Sequence, residues 1–154
     1  MGAVAMHQQT TVGFAPATNR RQAVLLCTEL RGLARMSDAL NPGLVLLLAN
    51  EFFTFAADIV AAHGGEPVSS HHEMLLSAFT RGNAIQATQQ AVRAAQCVQA
   101  DFPAMAEQWR KAYGLRTATA QGLHLGEAVL GLADRKSTRL NSSHIQKSRM
   151  PSSA

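Results

Sequence analysis

Two carboxylates and two imidazoles are the side chains in this sequence best placed to do chemistry. Glu29 follows a short apolar run, and Glu73 comes directly after His71 and His72. Carboxylates are ligands for hard cations such as Mg²⁺, and imidazoles bind transition metals. Successive residues of a strand point to opposite faces, so we expect His71 and His72 not to share one ion. Taken alone, Glu29 is better interpreted as a polar residue at a strand end than as a metal ligand. Glu73 is explained equally well as a solvated turn residue and as a metal ligand.

These residues lie within an alternation of short apolar runs and amphipathic helices. Apolar side chains recur at three- and four-residue steps over residues 43–63 and 83–113, which predicts two helices. Ser37 or Asn41 is a candidate cap for the first helix, with Pro42 in its first turn. The predicted strands are residues 22–28, 68–72, 74–79, 115–125 and 127–133.

Two residues are expected to interrupt these elements. Pro103 should kink or split the second helix near Phe102, and Gly126 should separate the last two strands. The order of elements is that of a βαββαβ unit. It predicts an α+β fold, a ferredoxin-like two-layer sandwich in which an antiparallel sheet carries two helices on one face. That fold hosts many functions and decides none of them.

Four short segments, in order along the chain, carry a resemblance to a known family. Residues 25–33 read Leu-Leu-Cys-Thr-Glu-Leu-Arg-Gly-Leu, and residues 46–53 read Leu-Leu-Leu-Ala-Asn-Glu-Phe-Phe. Residues 61–65 read Ala-Ala-His-Gly-Gly, and residues 122–129 read Gly-Leu-His-Leu-Gly-Glu-Ala-Val. Together they resemble the catalytic domains of class III adenylate and guanylate cyclases over residues 22–133. The resemblance implies a cyclase-like domain in cyclic-nucleotide signalling.

The resemblance also implies a metal site at Glu29 and Glu73. In the family, two aspartates at these positions hold Mg²⁺ or Mn²⁺ ions that bridge the triphosphate. Glutamate is one methylene longer, and the family's Gly-Asp-Gly turn is replaced here by His72, Glu73 and Met74. Because Mg²⁺ tolerates little departure from octahedral geometry, we expect a degenerate metal site.

Further positions are implied for the nucleotide. The main chain of Leu30, Arg31 and Gly32 should lie near the phosphates, and Ser69 occupies the base-selecting position. The family's catalytic Asn and Arg fall beyond Ala133. The implied reaction converts a nucleoside triphosphate to a 3′,5′-cyclic nucleotide and pyrophosphate.

The expected quaternary structure is also implied by the resemblance. Family members work as head-to-tail dimers with sites at the interface, which implies a like partner. The alternative interpretation is a catalytically inactive pseudo-cyclase, which keeps the fold and the dimer surface as a regulatory module.

The net charge of +4 lies entirely in the last 21 residues. Residues 134–154 hold five basic residues and one acidic residue, whereas residues 1–133 hold nine of each. Residues 134–144 and 148–154 match the translation of a common sequencing-library adapter, so we interpret 134–154 as a non-native, disordered tail. The charge therefore predicts no nucleic-acid partner. The expected organisation is a flexible lead-in at 1–21, a cyclase-like domain at 22–133 that is incomplete at its C-terminus, and this tail.

The remaining composition bears on the cellular compartment. Cys27 and Cys97 lie in apolar segments and form neither a disulfide framework nor a zinc signature. No uninterrupted apolar run approaches the roughly 20 residues of a spanning helix. The N-terminus shows no basic region ahead of an apolar stretch. We therefore expect a cytoplasmic protein without membrane contact.

Overall fold

A four-stranded sheet with helices packed on it makes up the fold; the structure is a computed structural model that describes residues 20–129. The elements are β1 (Arg20–Arg31), α1 (Leu33–Ala39), α2 (Pro42–Ala62), β2 (Glu66–His71), β3 (Met74–Phe79), α3 (Ala84–Tyr113) and β4 (Ala118–Val129). The strand order across the sheet is β2-β3-β1-β4. β1 and β2 each pair antiparallel with β3. The predicted α+β fold with an antiparallel sheet is confirmed.

Burial alternates along β1 and decides which side chains face the helices. Leu26, Thr28 and Leu30 are buried, whereas Cys27 and Glu29 between them are half-buried. Because successive strand residues point to opposite faces, Glu29 points away from the helix-covered face. Two core clusters form on the covered face. The first holds Val24, Leu26, Val60, Phe79, Ala87, Ala91, Ala94 and Ala95; the second holds Leu30, Met36, Leu48, Phe52, Phe102, Trp109 and Leu115.

The two long helices begin at side-chain caps. The Asn41 side chain accepts a hydrogen bond from the Leu44 N–H at 2.9 Å, and Pro42 fills the first turn of α2, so the second of the two candidate caps is confirmed. Asn83 caps α3 in a reciprocal box with Gln86. The Asn83 side chain accepts from the Gln86 N–H at 2.9 Å, and Gln86 Oε1 accepts from the Asn83 N–H at 3.0 Å.

The helices differ from prediction in two respects. α3 is one helix through Pro103, so the predicted split does not occur. Phe102 and Trp109, on either side of the proline, pack in the same core cluster, and this packing outweighs the lost backbone hydrogen bond. The second difference is α1, which the sequence did not predict. The described residues therefore hold three helices rather than two.

The last strand also differs from prediction. β4 continues through Gly126, so the break expected there is wrong. A glycine inside a strand costs only about 0.5–1 kcal/mol relative to alanine, and sheet pairing exceeds that cost. β1 begins at Arg20, two residues before the predicted strand. Residues 1–19 and 130–154, which include most of the predicted lead-in and the whole predicted tail, lie outside the described residues.

α2 is the one helix among residues 20–129 that is long and apolar enough to cross a membrane by length and composition. It spans 21 residues, and its most apolar window has a mean hydropathy of 1.8. Leu48, Phe52 and Val60 of this helix nevertheless pack in the two core clusters. α2 is therefore a core helix of this fold, although Leu46 and Leu47 remain exposed.

Candidate functional site

The two predicted metal ligands meet where β1 ends and β3 begins. Glu29 is the residue of β1 opposite Met74, the first residue of β3, and Glu73 precedes Met74 in the turn. The Leu30 N–H donates a hydrogen bond to the Glu73 carbonyl oxygen at 2.8 Å and closes this end of the strand pair. The Leu30 amide is thus used within the sheet, and its side chain lies in the core, while its place near the phosphates stays a prediction.

Both glutamates line one cavity, with a volume of about 530 Å³, together with three arginines. Arg31 ends β1, Arg35 lies on α1, and Arg116 precedes β4. Three guanidinium groups and two carboxylates give the cavity walls a formal charge of +1. The structure thus brings Glu29 and Glu73 together, as predicted, but in a wall that is more basic than acidic.

Gly32 lets the end of β1 turn against the start of β4. Its φ is 110°, in the left-handed region that favours glycine. A Cβ at this position would lie 3.0 Å from the Arg116 carbonyl oxygen, so only glycine allows this approach. Gly32 and Arg31 both line the cavity, and their place near a phosphate chain stays a prediction.

The carboxylate of Glu29 has two polar neighbours. Arg31 Nε lies 3.8 Å from Glu29 Oε2 in a solvent-exposed ion pair, which is worth little by itself. On the same face of β1, burial first and the Glu29 charge second raise the pKa of the Cys27 thiol. The Glu29 carboxylate therefore lies on the open face of the sheet, beside one guanidinium group and one thiol.

A chain of hydrogen bonds reaches the backbone of Glu29 from α3. The Thr119 hydroxyl donates to the Glu29 carbonyl oxygen at 2.9 Å. The Gln121 amide donates to Thr119 Oγ1 at 2.8 Å, and the Gln99 amide donates to the Gln121 side-chain oxygen. This chain fixes the end of β1 against β4 and α3. Sequence reasoning missed it because Thr119 lies 90 residues from Glu29 and belongs to no motif.

The donor set suits a cation that is held jointly with phosphate. No group of three His, Cys, Asp or Glu side chains that could hold a metal ion exists among residues 20–129. Mg²⁺ is usually bound by one or two carboxylates together with waters and substrate phosphates, so Glu29 and Glu73 meet the minimum that this mode requires. They do not form a site that holds a cation by protein ligands alone.

Ser69 and the histidines lie outside this cavity. Ser69 is exposed on the edge strand β2, beside an irregularity in its pairing with β3. The His71 and His72 rings are in edge-to-face contact with their centroids 3.8 Å apart, so the expectation that they point apart is wrong. The reason is that His72 has left β2 and turns with φ 52°. They still have no third metal-binding side chain beside them within the described residues.

Comparison with solved structures identifies the fold. The adenylyl cyclase CyaB from P. aeruginosa superposes with a TM-score of 0.66 at 17% identity, over 70% of this chain and 57% of that one. A guanylyl cyclase superposes with a TM-score of 0.59 at 27% identity, over 73% of this chain and 57% of that one. The dimeric guanylyl cyclase domain of the RhoGC fusion protein from Blastocladiella emersonii gives 0.53 at 15% identity, over 73% and 62%.

These structures are class III adenylyl and guanylyl cyclase domains, and the described chain has their fold. The chain spans 57% of the length of the first of them. No family model matches the sequence, and no curated relative matches it. The fold is therefore assigned by comparison with solved structures.

Proposed function

We propose that this chain is a cyclase-like domain in cyclic-nucleotide signalling whose cavity at Glu29 and Glu73 binds the phosphates of a nucleoside triphosphate. One observation carries the proposal. Residues 44 positions apart in sequence, each matching a family metal position, line a single cavity with three arginines. The fold likeness supports it, because adenylyl and guanylyl cyclases share this arrangement of strands and helices.

Each wall residue has a distinct task in the proposed complex. Glu29 and Glu73 would hold Mg²⁺ or Mn²⁺ jointly with the phosphates, and the cation would neutralise the charge of the departing pyrophosphate. Thr119 positions Glu29 through its backbone, since its hydroxyl bonds the Glu29 carbonyl oxygen at 2.9 Å. Gly32 brings the β1–α1 connection close enough for both sides of the cavity to reach one phosphate chain.

The proposed reaction is attack of the ribose 3′ oxygen on the α-phosphorus, with release of pyrophosphate. The resemblance puts the Asn and Arg that assist this step beyond Ala133, outside the described residues. The resemblance also implies that each complete active site forms at the interface between two head-to-tail subunits. The neighbour from Blastocladiella emersonii is a non-canonical dimeric guanylyl cyclase domain, which supports a dimer here but not the head-to-tail arrangement.

Mn²⁺-dependent nucleotide binding tests the site. The chain is titrated with ATP and with GTP in the presence of Mn²⁺, as wild type, as Glu29→Ala and as Glu66→Ala. Glu66 is an exposed carboxylate on β2, outside the cavity, and is the matched control. We expect Glu29→Ala to remove the Mn²⁺-dependent part of binding and Glu66→Ala to retain it. Equal binding by both variants would contradict the proposed site.

A catalytically inactive pseudo-cyclase is the second candidate function. It is favoured by the bulky side chains that replace the family's glycines in the turn around Glu73. His72 adopts φ 52° where the family has glycine, and residues 20–129 contain no group of three side chains that could hold a metal ion. Incubation of the protein with Mn²⁺ and each nucleotide, followed by mass-spectrometric detection of cyclic nucleotide, separates the two functions. Product that disappears in Glu29→Ala refutes the pseudo-cyclase. A dimer in sedimentation that makes no product under any metal refutes the enzyme.

A further inference from the structure

The arginines of the cavity supply more positive charge than the two glutamates neutralise. Arg35 and Arg116 are exposed and form no ion pair or side-chain hydrogen bond with any described residue. The Arg31 guanidinium makes one loose contact, 3.8 Å from Glu29. Two guanidinium groups in the wall are therefore free to bind an incoming anion.

The backbone brings these two arginines to the lining of one cavity. Arg116 lies against the β1–α1 connection, since a Cβ on Gly32 would be 3.0 Å from its carbonyl oxygen. Arg35 is three residues further along that connection, on α1. Thr117 also lines the cavity, although its hydroxyl oxygen is buried and has no hydrogen-bond partner. The wall thus offers two unpaired guanidinium groups.

Such a wall matches a phosphate chain. A guanidinium donates two parallel hydrogen bonds to phosphate oxygens, and its charge is always present. Two cations that line one cavity repel each other, so an anion with several negative charges relieves the repulsion and gains both pairings. A single carboxylate or a neutral sugar would leave one arginine unpaired.

We propose that Arg35 and Arg116 bind a polyphosphate chain in this cavity without any divalent cation. The inference rests on the proposed function in that its ligand is the triphosphate of a nucleotide or the pyrophosphate released from it. The inference goes further, because it states that the two arginines are sufficient to bind the polyphosphate. A metal ion held by Glu29 and Glu73 is then not required. The two glutamates then oppose anion binding whenever no cation neutralises them.

The proposal therefore predicts that substitution of Glu73 changes polyphosphate binding in opposite directions with and without a divalent cation. In EDTA, Glu73→Gln removes a negative charge from the wall and should strengthen polyphosphate binding several-fold. In Mn²⁺, the same variant removes a proposed cation ligand and should weaken binding. A structural defect at the turn would weaken binding under both conditions.

Calorimetric titration of the full chain with tripolyphosphate, in EDTA and at low ionic strength, tests the proposal. Wild type is expected to bind, and Arg35→Gln and Arg116→Gln are each expected to bind about tenfold more weakly, the loss typical of one charge-assisted contact. Arg93→Gln, an exposed arginine on α3 outside the cavity, is the control. Circular dichroism checks that every variant is folded. No binding in EDTA, or equal losses for Arg35→Gln and Arg93→Gln, overturns the proposal.

Titration with ATP and GTP separates this inference from the proposed function. Nucleotide binding that requires Mn²⁺ and is lost in Glu29→Ala, with no binding of tripolyphosphate in EDTA, retains the proposed function and refutes the metal-free site. Tripolyphosphate binding in EDTA that depends on Arg35 and Arg116, without binding of either nucleotide, retains the anion site and refutes the proposed function.

Discussion

Gly65 leaves almost no room for a side chain. It follows α2 and is buried, and its N–H donates to the Val60 carbonyl oxygen at 2.9 Å. A Cβ built on Gly65 lies 2.5 Å from Phe79 Cζ and 2.8 Å from Val60 Cγ1. Carbon atoms in ordinary contact are about 3.5–4.0 Å apart, so an added methyl overlaps its neighbours by about 1 Å.

The neighbours of Gly65 have nowhere to move. Phe79 and Val60 are both 0% exposed, and both pack in the core cluster with Ala87 and Ala91. Overpacking of this kind costs about 1–3 kcal/mol. We therefore expect Gly65→Ala to lower the free energy of unfolding by that amount. The corresponding fall in Tm is about 4–12 °C for a unit of this size.

Gly122→Ala is the matched control for Gly65→Ala. Gly122 lies on β4, and a Cβ there meets nothing within 4 Å. The control should leave stability unchanged or raise it slightly, because alanine has less conformational entropy to lose than glycine. Urea unfolding of both variants, followed by circular dichroism, measures the difference. Unfolding midpoints for Gly65→Ala and Gly122→Ala that agree within error would refute the steric reasoning.

Three further predictions concern the turn, a helix cap and the open face of the sheet. His72→Gly should raise the free energy of unfolding by about 0.5–1 kcal/mol in urea titration, because glycine adopts φ 52° without the strain of a Cβ. Asn83→Ala should cost about 1 kcal/mol in the same assay, because the cap of α3 is lost. Near neutral pH, Glu29→Gln should speed alkylation of Cys27 and leave Cys97 unchanged, as read by mass spectrometry. Burial and the Glu29 charge raise the Cys27 pKa, so removing that charge restores thiolate, the reactive form.

Sequence patterns predicted the elements whose signals are local. The helical spacing and the Asn41 cap located α2, and the apolar run ahead of Glu29 located β1. α1 escaped prediction because its seven residues begin at a left-handed Gly32 without a side-chain cap. It forms because Met36 buries in the core, a tertiary effect that no local pattern records.

The site was predictable only in part, for the same physical reason. Glu29 was proposed because it lies in a segment that resembles the family, and Glu73 because it occupies the family's position in the hairpin; the structure brings both to one cavity. Arg35 and Arg116 were missed, since neither belongs to a motif and they meet only through the approach of β4 to the β1–α1 connection. Residue types in motifs can be recognised from sequence, whereas the charge of a cavity wall depends on how distant segments pack.

The two outer strands of the sheet differ in how well they are protected from other chains. Among the described residues, β2 and β4 each have one unpaired edge. β2 is six residues long, contains Pro67 and has an irregular register beside it, features that discourage pairing with a foreign strand. β4 is twice as long, has no proline and exposes Leu123 and Leu125. Intermolecular strand addition, and the aggregation that follows from it at high concentration, should therefore begin at β4.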